Sequence, residues 1–129
     1  MNVLYADDDV DDREMFCEAI KEIDPSIKVV LGKDGEETLK ILSVQKDLPD
    51  LIFLDINMPR MDGIECLGKI KSDDRLKSIP VIIYSTTSNK GDMTKIALLG
   101  ASDFILKGNS FKNVKDSLDN ILASQHGLS

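Results

Sequence analysis

The sequence predicts an open, doubly wound α/β fold of the (βα)₅ type, with five parallel strands and five helices. Five short runs of branched and aromatic residues recur along the 129 residues, and amphipathic segments with helical spacing separate them. The connections between runs and segments are short, which favours parallel strands joined by right-handed crossovers with helices on both faces. Five such units cannot close an eight-stranded barrel, so the sheet is predicted to be open.

The five apolar runs are four or five residues long, as expected of strands that are buried on both faces. They cover residues 3–6, 27–31, 51–54, 81–84 and 103–106. A helix that crosses a bilayer needs about 20 predominantly apolar residues. We therefore expect a cytoplasmic protein that has no membrane-spanning segment.

The amphipathic segments supply the helices. Asp9 is the expected N-cap of the first helix, Asp11 and Asp12 are well placed in its first turn, and Pro25 stops it. The other four helices are predicted over residues 36–45, 64–71, 92–99 and 110–123. In the last helix, apolar residues at helical spacing form an inward stripe of Phe111, Val114, Leu118, Ile121 and Leu122.

Length and charge restrict the classes of function. A chain of 129 residues has the length of one domain, and with so few residues after 123 we expect no DNA-binding or catalytic output domain. Residues 1–129 are therefore predicted to form one domain. The net charge of −7 argues against a surface for nucleic acid or anionic lipid. Cys17 and Cys66 lack metal-binding spacing and are expected to be reduced thiols.

Polar residues follow four of the predicted strands, at the sheet edge where such folds bind ligands. These residues are Asp7, Asp8 and Asp9 after the first strand, Asp55 after the third, Ser85 at the end of the fourth and Lys107 after the fifth. Clustered carboxylates repel one another unless a cation lies among them, and hard oxygen ligands suit Mg²⁺. A lysine and a hydroxyl add donors for a phosphoryl group, and an aspartate can act as its nucleophile.

Four segments carry the most specific pattern: residues 3–9, 51–63, 81–86 and 100–107. Asp55 ends a buried strand and is followed by Asn57-Met58-Pro59, with Asp62-Gly63 just beyond. Together the segments resemble the response-regulator receiver domain of two-component signalling, the CheY-like family, over residues 2–123. The resemblance implies a flavodoxin-like sheet with strand order 2-1-3-4-5.

The resemblance also implies a metal site and an acceptor. Asp55 matches the phosphoacceptor, which is also a ligand of Mg²⁺, with Mn²⁺ as a substitute. Asp8 matches a direct metal ligand, Asp7 matches an acid that contributes mainly through water, and Asn57 matches the residue whose backbone carbonyl binds the metal.

Three further residues match parts of the family's response to phosphorylation. Ser85 matches the hydroxyl that turns toward the phosphoryl group, and Lys107 matches the lysine that pairs with it. Phe104 matches the aromatic switch residue whose rotamer reports activation, although its apolar strand also fits a fixed core residue.

The function that this resemblance implies is phosphorelay signalling by a phosphoprotein. A sensor histidine kinase or a histidine phosphotransfer protein would phosphorylate Asp55, and the face formed by the fourth helix, fifth strand and fifth helix would bind a downstream protein. The chain would be no enzyme beyond assisting its own phosphorylation and dephosphorylation. It would be a monomer or a weak dimer, without nucleic-acid or membrane partners.

Several alternatives remain open from the sequence. The acidic pair could be Asp8 and Asp9 instead of Asp7 and Asp8. Three further hydroxyl residues follow Ser85, and they could be ordinary polar residues of the loop: Thr86, Thr87 and Ser88. A Mg²⁺-dependent phosphatase would use Asp7 and Asp9, spaced by one residue, but would leave the segment after Asp55 unexplained. A flavin- or nucleotide-binding module would need a glycine-rich phosphate loop, which this sequence lacks.

Two positions depart from the family pattern. Receivers usually have a proline after the lysine, whereas here it is Gly108, for which a cis peptide bond would cost several kcal/mol. The resulting loop is predicted to be trans or looser. Tyr84 is larger than expected just before Ser85.

Overall fold

Strands and helices alternate strictly along the chain in the computed structural model, which describes residues 1–86 and 89–125. The elements are β1 (Asn2–Ala6), α1 (Val10–Ile23), β2 (Lys28–Gly32), α2 (Gly35–Val44), β3 (Leu51–Leu54), α3 (Gly63–Ser72), β4 (Val81–Ser85), α4 (Lys90–Leu99), β5 (Asp103–Leu106) and α5 (Phe111–Gln125). Every predicted element is present, and the boundaries differ by one or two residues, as is usual at element ends.

The strands form one parallel sheet in the order β2-β1-β3-β4-β5. This confirms the predicted fold class and strand order. β1 pairs with β2 on one side and with β3 on the other. The order in which the chain adds strands to the sheet therefore reverses between β1 and β3. The crevice at the carboxyl ends of β1 and β3 is therefore the expected ligand site.

Two hydrophobic cores lie on opposite faces of the sheet. One joins Leu4, Ile52 and Ile83 to buried residues of α2, α3 and α4. The other joins Phe53 and the remaining inward residues of β1, β3 and β4 to α1 and α5. Because the central strands are buried on both faces, they read as continuous apolar runs rather than as alternating patterns.

Aspartate side chains begin several helices and fix where the loops end. The Asp9 carboxylate accepts hydrogen bonds from the backbone N–H groups of Asp11 at 2.8 Å and Asp12 at 3.1 Å. This confirms Asp9 as the N-cap of α1. Asp62 caps α3 in the same way through the N–H of Glu65. The Asp9 carboxylate is therefore engaged in capping α1.

Backbone hydrogen bonds continue the sheet by one residue beyond the strand ends and hold the polar residues there. The N–H of Asp7 donates to Gly32 O at 3.0 Å, and the N–H of Asp55 donates to Ala6 O at 3.0 Å. The N–H of Lys107 donates to Ser85 O at 2.8 Å. These three side chains consequently project from an edge whose backbone positions are fixed.

Gly63 allows the start of α3 to approach the backbone of Asp55. A Cβ atom at position 63 would lie 2.0 Å from Asp55 O, which is far inside van der Waals contact. The Gly63 N–H also donates to Ile56 O at 2.8 Å. The loop after β3 is thus closed against the strand end that presents Asp55. Within the described ranges, no helix is both long and apolar enough to cross a membrane.

Candidate functional site

Three aspartates converge at the carboxyl ends of β1 and β3. One carboxylate oxygen from each of Asp7, Asp8 and Asp55 lies within 4.8 Å of the others. Asp7 is fully buried and Asp55 nearly so, whereas Asp8 is exposed. The donors are all carboxylate oxygens, the ligand type of hard divalent cations, and Asp8 leaves one side of the cluster open to solvent. The residues present therefore fit a divalent metal.

Asp7 is held by donors on both of its carboxylate oxygens. The N–H of Asp9 donates to Oδ1 at 2.9 Å, while the Tyr5 hydroxyl and the Lys107 ammonium both donate to Oδ2. Burial and the neighbouring Asp7 carboxylate raise the pKa of the Tyr5 hydroxyl far above its usual value. Tyr5 is therefore a permanent donor that orients Asp7. From the sequence alone, Tyr5 is predicted only to be a strand residue.

Asp55 has the environment of a carboxylate that is costly to ionise. The pKa of Asp55 is raised from 3.8 to about 6 in total, and burial is the largest cause. The ammonium of Lys107 lowers this pKa, the charge of Asp7 raises it, and hydrogen bonds from the Ser85 side chain and the Ile56 backbone lower it again. The burial effect wins because these favourable partners do not replace the lost hydration.

Lys107 is a buried lysine that bridges the site. Its side chain is 5% exposed, and its ammonium contacts Asp7, lies 2.9 Å from Asp12 Oδ2 and lies 3.6 Å from Asp55 Oδ2. Nζ also lies 5.7 Å from the centre of the Tyr84 ring. Burial alone lowers its pKa, but the hydrogen bonds to Asp7 and Asp12 and the charges of Asp55 and Asp7 raise it above the usual value. Lys107 stays charged.

The hydroxyl predicted at the end of β4 is also in place. Ser85 is fully buried, and its side chain is hydrogen-bonded to Asp55. Thr86 is exposed, and Thr87 and Ser88 lie outside the described residues. The geometry therefore selects Ser85 among the neighbouring hydroxyls that the structure describes.

The two remaining predicted residues lie at different depths. Asn57 is exposed in the loop between β3 and α3, two residues after Asp55. Phe104 is half-buried on the edge strand β5, opposite Ile83 of β4, and packs against the core beside α4. Phe104 is therefore partly accessible to solvent and partly packed against the core.

The sequence and the fold of this chain have known relatives. The family model of the response regulator receiver domain matches residues 3–119. The chain belongs to the response regulator receiver family. Because receivers are the phosphoacceptor modules of two-component systems, the chain is a phosphoacceptor signalling domain.

Solved receivers superpose closely on this one. The phosphorylated cyanobacterial phytochrome response regulator RcpA is 29% identical with a TM-score of 0.92, and the match covers 99% of this chain and 95% of RcpA. The Mn²⁺-bound response regulator Rcp1 is 27% identical with a TM-score of 0.85, covering 95% of this chain and 91% of Rcp1. Receivers bind a divalent metal, and the cluster of Asp7, Asp8 and Asp55 fits that property.

One curated relative is an enzyme. A protein-glutamate methylesterase/protein-glutamine glutaminase of Methanospirillum hungatei is 39% identical over 118 residues, which are 90% of this chain but 33% of that protein. The chain thus spans about a third of this relative. The shared part is the receiver, and the methylesterase activity is a property of that longer protein.

Two features of this receiver concern the lysine loop. Within the described ranges every peptide bond is trans, including Lys107–Gly108. A Cβ atom at Gly108 would lie 2.5 Å from the Cβ of Asn113 at the start of α5. The absence of the family's proline is therefore matched by close packing of this loop on α5, which a larger residue at position 108 would disturb.

The structure corrects one sequence-based interpretation. Asp12 was predicted only to favour the positive end of α1, yet its carboxylate also binds Lys107. The signal was available: α1 starts at the sheet edge beside Asp7, so the first turn of α1 lies close to whatever the other strand ends present. Asp9, by contrast, caps the helix through Oδ1, as predicted, and lies outside the cluster of Asp7, Asp8 and Asp55.

Proposed function

We propose that Asp55 accepts a phosphoryl group from the phosphohistidine of a sensor kinase or a histidine phosphotransfer protein. One carboxylate oxygen of Asp55 attacks the phosphorus, the P–N bond breaks, and the histidine ring leaves with the electron pair of that bond. The observation that carries this proposal is the position of Asp55: its carboxylate lies in the acidic cluster, 3.6 Å from the Lys107 ammonium, and is hydrogen-bonded to the Ser85 side chain.

The charge state of Asp55 suits this role. With a pKa of about 6, about nine-tenths of the carboxyl groups are ionised at neutral pH. The nucleophile is therefore present, and it is held in a buried position where its charge is poorly solvated. Addition of the phosphoryl group converts this buried carboxylate into an ester-like carbonyl, which moves the negative charge outward to oxygens that donors can reach.

Asp8 and Asp55, with the backbone carbonyl of Asn57, would hold Mg²⁺ directly, and Asp7 would contribute through water. The close carboxylate oxygens support this assignment, and Mn²⁺ would substitute for Mg²⁺ because it accepts similar oxygen ligands. The metal supplies positive charge beside the transferring group. Asp8 is the exposed member and the natural point of entry for the ion.

Lys107 and Ser85 supply the remaining donors. The Lys107 ammonium is already 3.6 Å from Asp55 Oδ2, so a small shift brings it to an oxygen of the added phosphoryl group. Ser85 already contacts the Asp55 side chain and has only to redirect its hydroxyl. Both groups are nearly inaccessible to water, which makes their hydrogen bonds to a charged oxygen strong.

Movement of Ser85 would be felt at Phe104. β4 and β5 are paired, so Ser85 lies at the end of the strand that adjoins Phe104, and the Phe104 ring is only half-buried. We place the output surface on α4, β5 and α5. The exposed apolar side chains Leu98 on α4 and Leu106 on β5 suit a protein partner on this face.

We propose a chain that acts as one receiver unit over residues 1–129. It would work in the cytoplasm as a monomer or weak dimer and catalyse nothing beyond its own phosphorylation and dephosphorylation. The net charge of −7 disfavours a nucleic-acid partner.

Chemical phosphorylation tests the proposal. The wild-type protein is incubated with acetyl phosphate with and without Mg²⁺, and intact mass is followed. We expect a single labile phosphoryl adduct that needs Mg²⁺ and is absent in Asp55→Asn. The matched control, Asp47→Asn, removes an exposed loop carboxylate and should be phosphorylated like wild type. Turnover of acetyl phosphate without any protein adduct would instead support a phosphatase.

A further inference from the structure

Lys107 has a carboxylate partner that the metal cluster does not include. Asp12, in the first turn of α1, places Oδ2 at 2.9 Å from Lys107 Nζ. The carboxylates that converge to hold a metal are Asp7, Asp8 and Asp55, among the residues that the structure describes. Asp12 is also the most exposed of the three partners of Lys107, with a side chain that is 36% exposed. Asp12 therefore contacts Lys107 without belonging to the metal cluster.

The Lys107 ammonium is not equally close to its three carboxylate partners. Lys107 is hydrogen-bonded to Asp7 and Asp12, and its distance of 3.6 Å from Asp55 Oδ2 is beyond a good hydrogen bond. A phosphoryl group on Asp55 would replace the single negative charge of the carboxylate with the two negative charges of a phosphoryl dianion, which lie farther out on that side. The ammonium has to move toward them, and this movement lengthens the contact with Asp12, which is anchored to α1.

We propose that Asp12 is a positioning residue that holds Lys107 in the unphosphorylated protein and competes with the phosphoryl group for it. The inference rests on the proposed role of Asp55. The ion pair between Asp12 and Lys107 stabilises the resting arrangement. Its loss is part of the free-energy cost of forming the phosphorylated arrangement.

The test uses beryllofluoride as the probe of the phosphorylated state, with saturating Mg²⁺. We expect Asp12→Asn to lower the Kd for beryllofluoride about two- to fivefold, the range for a partly exposed ion pair. Asp11→Asn is the matched control because Asp11 is an exposed acid in the same turn of α1, with the same favourable position at the helix N-terminus. Asp11→Asn should leave the Kd within about 1.5-fold of wild type.

A double-mutant cycle separates action through Lys107 from a general charge effect. If Asp12 acts through the ammonium, Asp12→Asn should no longer change the Kd in a Lys107→Met background. A change that persists in that background, or an Asp12→Asn variant that binds the probe as wild type does or more weakly, would overturn the proposal.

The contact itself can be observed without any phosphate mimic. Nitrogen-15 NMR of the Lys107 ammonium in the resting protein should show slow proton exchange in wild type and Asp11→Asn, and faster exchange in Asp12→Asn. Equal exchange in all three proteins would overturn the proposal. If wild type fails to bind beryllofluoride, the role of Asp55 is refuted, and the NMR comparison still decides whether Asp12 holds Lys107.

Discussion

Removal of the Asp55 charge should stabilise the metal-free protein, and the gain should depend on pH. The pKa of Asp55 is raised from 3.8 to about 6 in the folded protein, and burial is the largest cause. The folded state therefore binds a proton more tightly than the unfolded state does, so the Asp55 contribution to stability is fully present below pH 4 and is lost as pH rises to 6. At 1.36 kcal/mol for each tenfold change in acidity, this loss is about 3 kcal/mol.

Asp55→Asn keeps the shape of the side chain but cannot ionise. Lys107 retains Asp7 and Asp12 as partners in the variant, so no buried ammonium is left unpaired. We expect the variant to exceed wild type in free energy of unfolding by about 1–3 kcal/mol at pH 8, an upper range set by the full pKa change. The difference should shrink steadily between pH 6 and pH 4.

Urea denaturation followed by circular dichroism, at intervals from pH 4 to pH 8 with a chelator present, measures this difference. Asp47→Asn serves as the control, because its exposed carboxylate should give a small difference that does not vary with pH. If Asp55→Asn were less stable than wild type at pH 8, or if its advantage were the same at every pH, Asp55 would not be a strained buried carboxylate, and the reasoning would fail.

Three further predictions concern the metal, the lysine loop and the switch. Millimolar Mg²⁺ should raise the thermal midpoint of wild type and of the control Asp11→Asn, but not that of Asp8→Ala, as measured by calorimetry; a wild-type midpoint indifferent to Mg²⁺ would contradict the site. Gly108→Ala should lower the free energy of unfolding by about 1–3 kcal/mol, because its Cβ would meet Asn113; urea denaturation with no loss would mean that the loop yields freely. In amide NMR, beryllofluoride should shift signals from Ser85 through 89–99 and 104–115, and shifts confined to the loops around Asp8 and Asp55 would rule out the proposed switch.

The sequence predicted the fold well because its signals are local and agree with one another. The runs at residues 51–54 and 81–84 are apolar on both faces, as in a parallel sheet that is covered by helices on both sides, and Asp9 marks the start of α1 by its chemistry. Strand ends in such a sheet must meet at one edge. The convergence of Asp7, Asp8, Asp55, Ser85 and Lys107 followed from that rule.

Contacts between side chains that are distant in sequence were beyond the same reasoning. Asp12 and Lys107 are 95 residues apart, and their pairing depends on where the first turn of α1 lies relative to β5. Tyr5 reads as one more apolar strand residue, since nothing local shows that its hydroxyl reaches Asp7. The clash that would follow a substitution at Gly108 likewise depends on the position of α5 relative to the lysine loop.

The central claim is that Asp55 is the residue that carries the phosphoryl group, and chemical mapping of the adduct tests it most directly. The protein is phosphorylated with acetyl phosphate and Mg²⁺, reduced with borohydride to convert an aspartyl phosphate into homoserine, digested and sequenced by mass spectrometry. The account predicts homoserine at position 55 alone. Homoserine at position 7 or 8, or a stable adduct on a side chain other than aspartate, would contradict it.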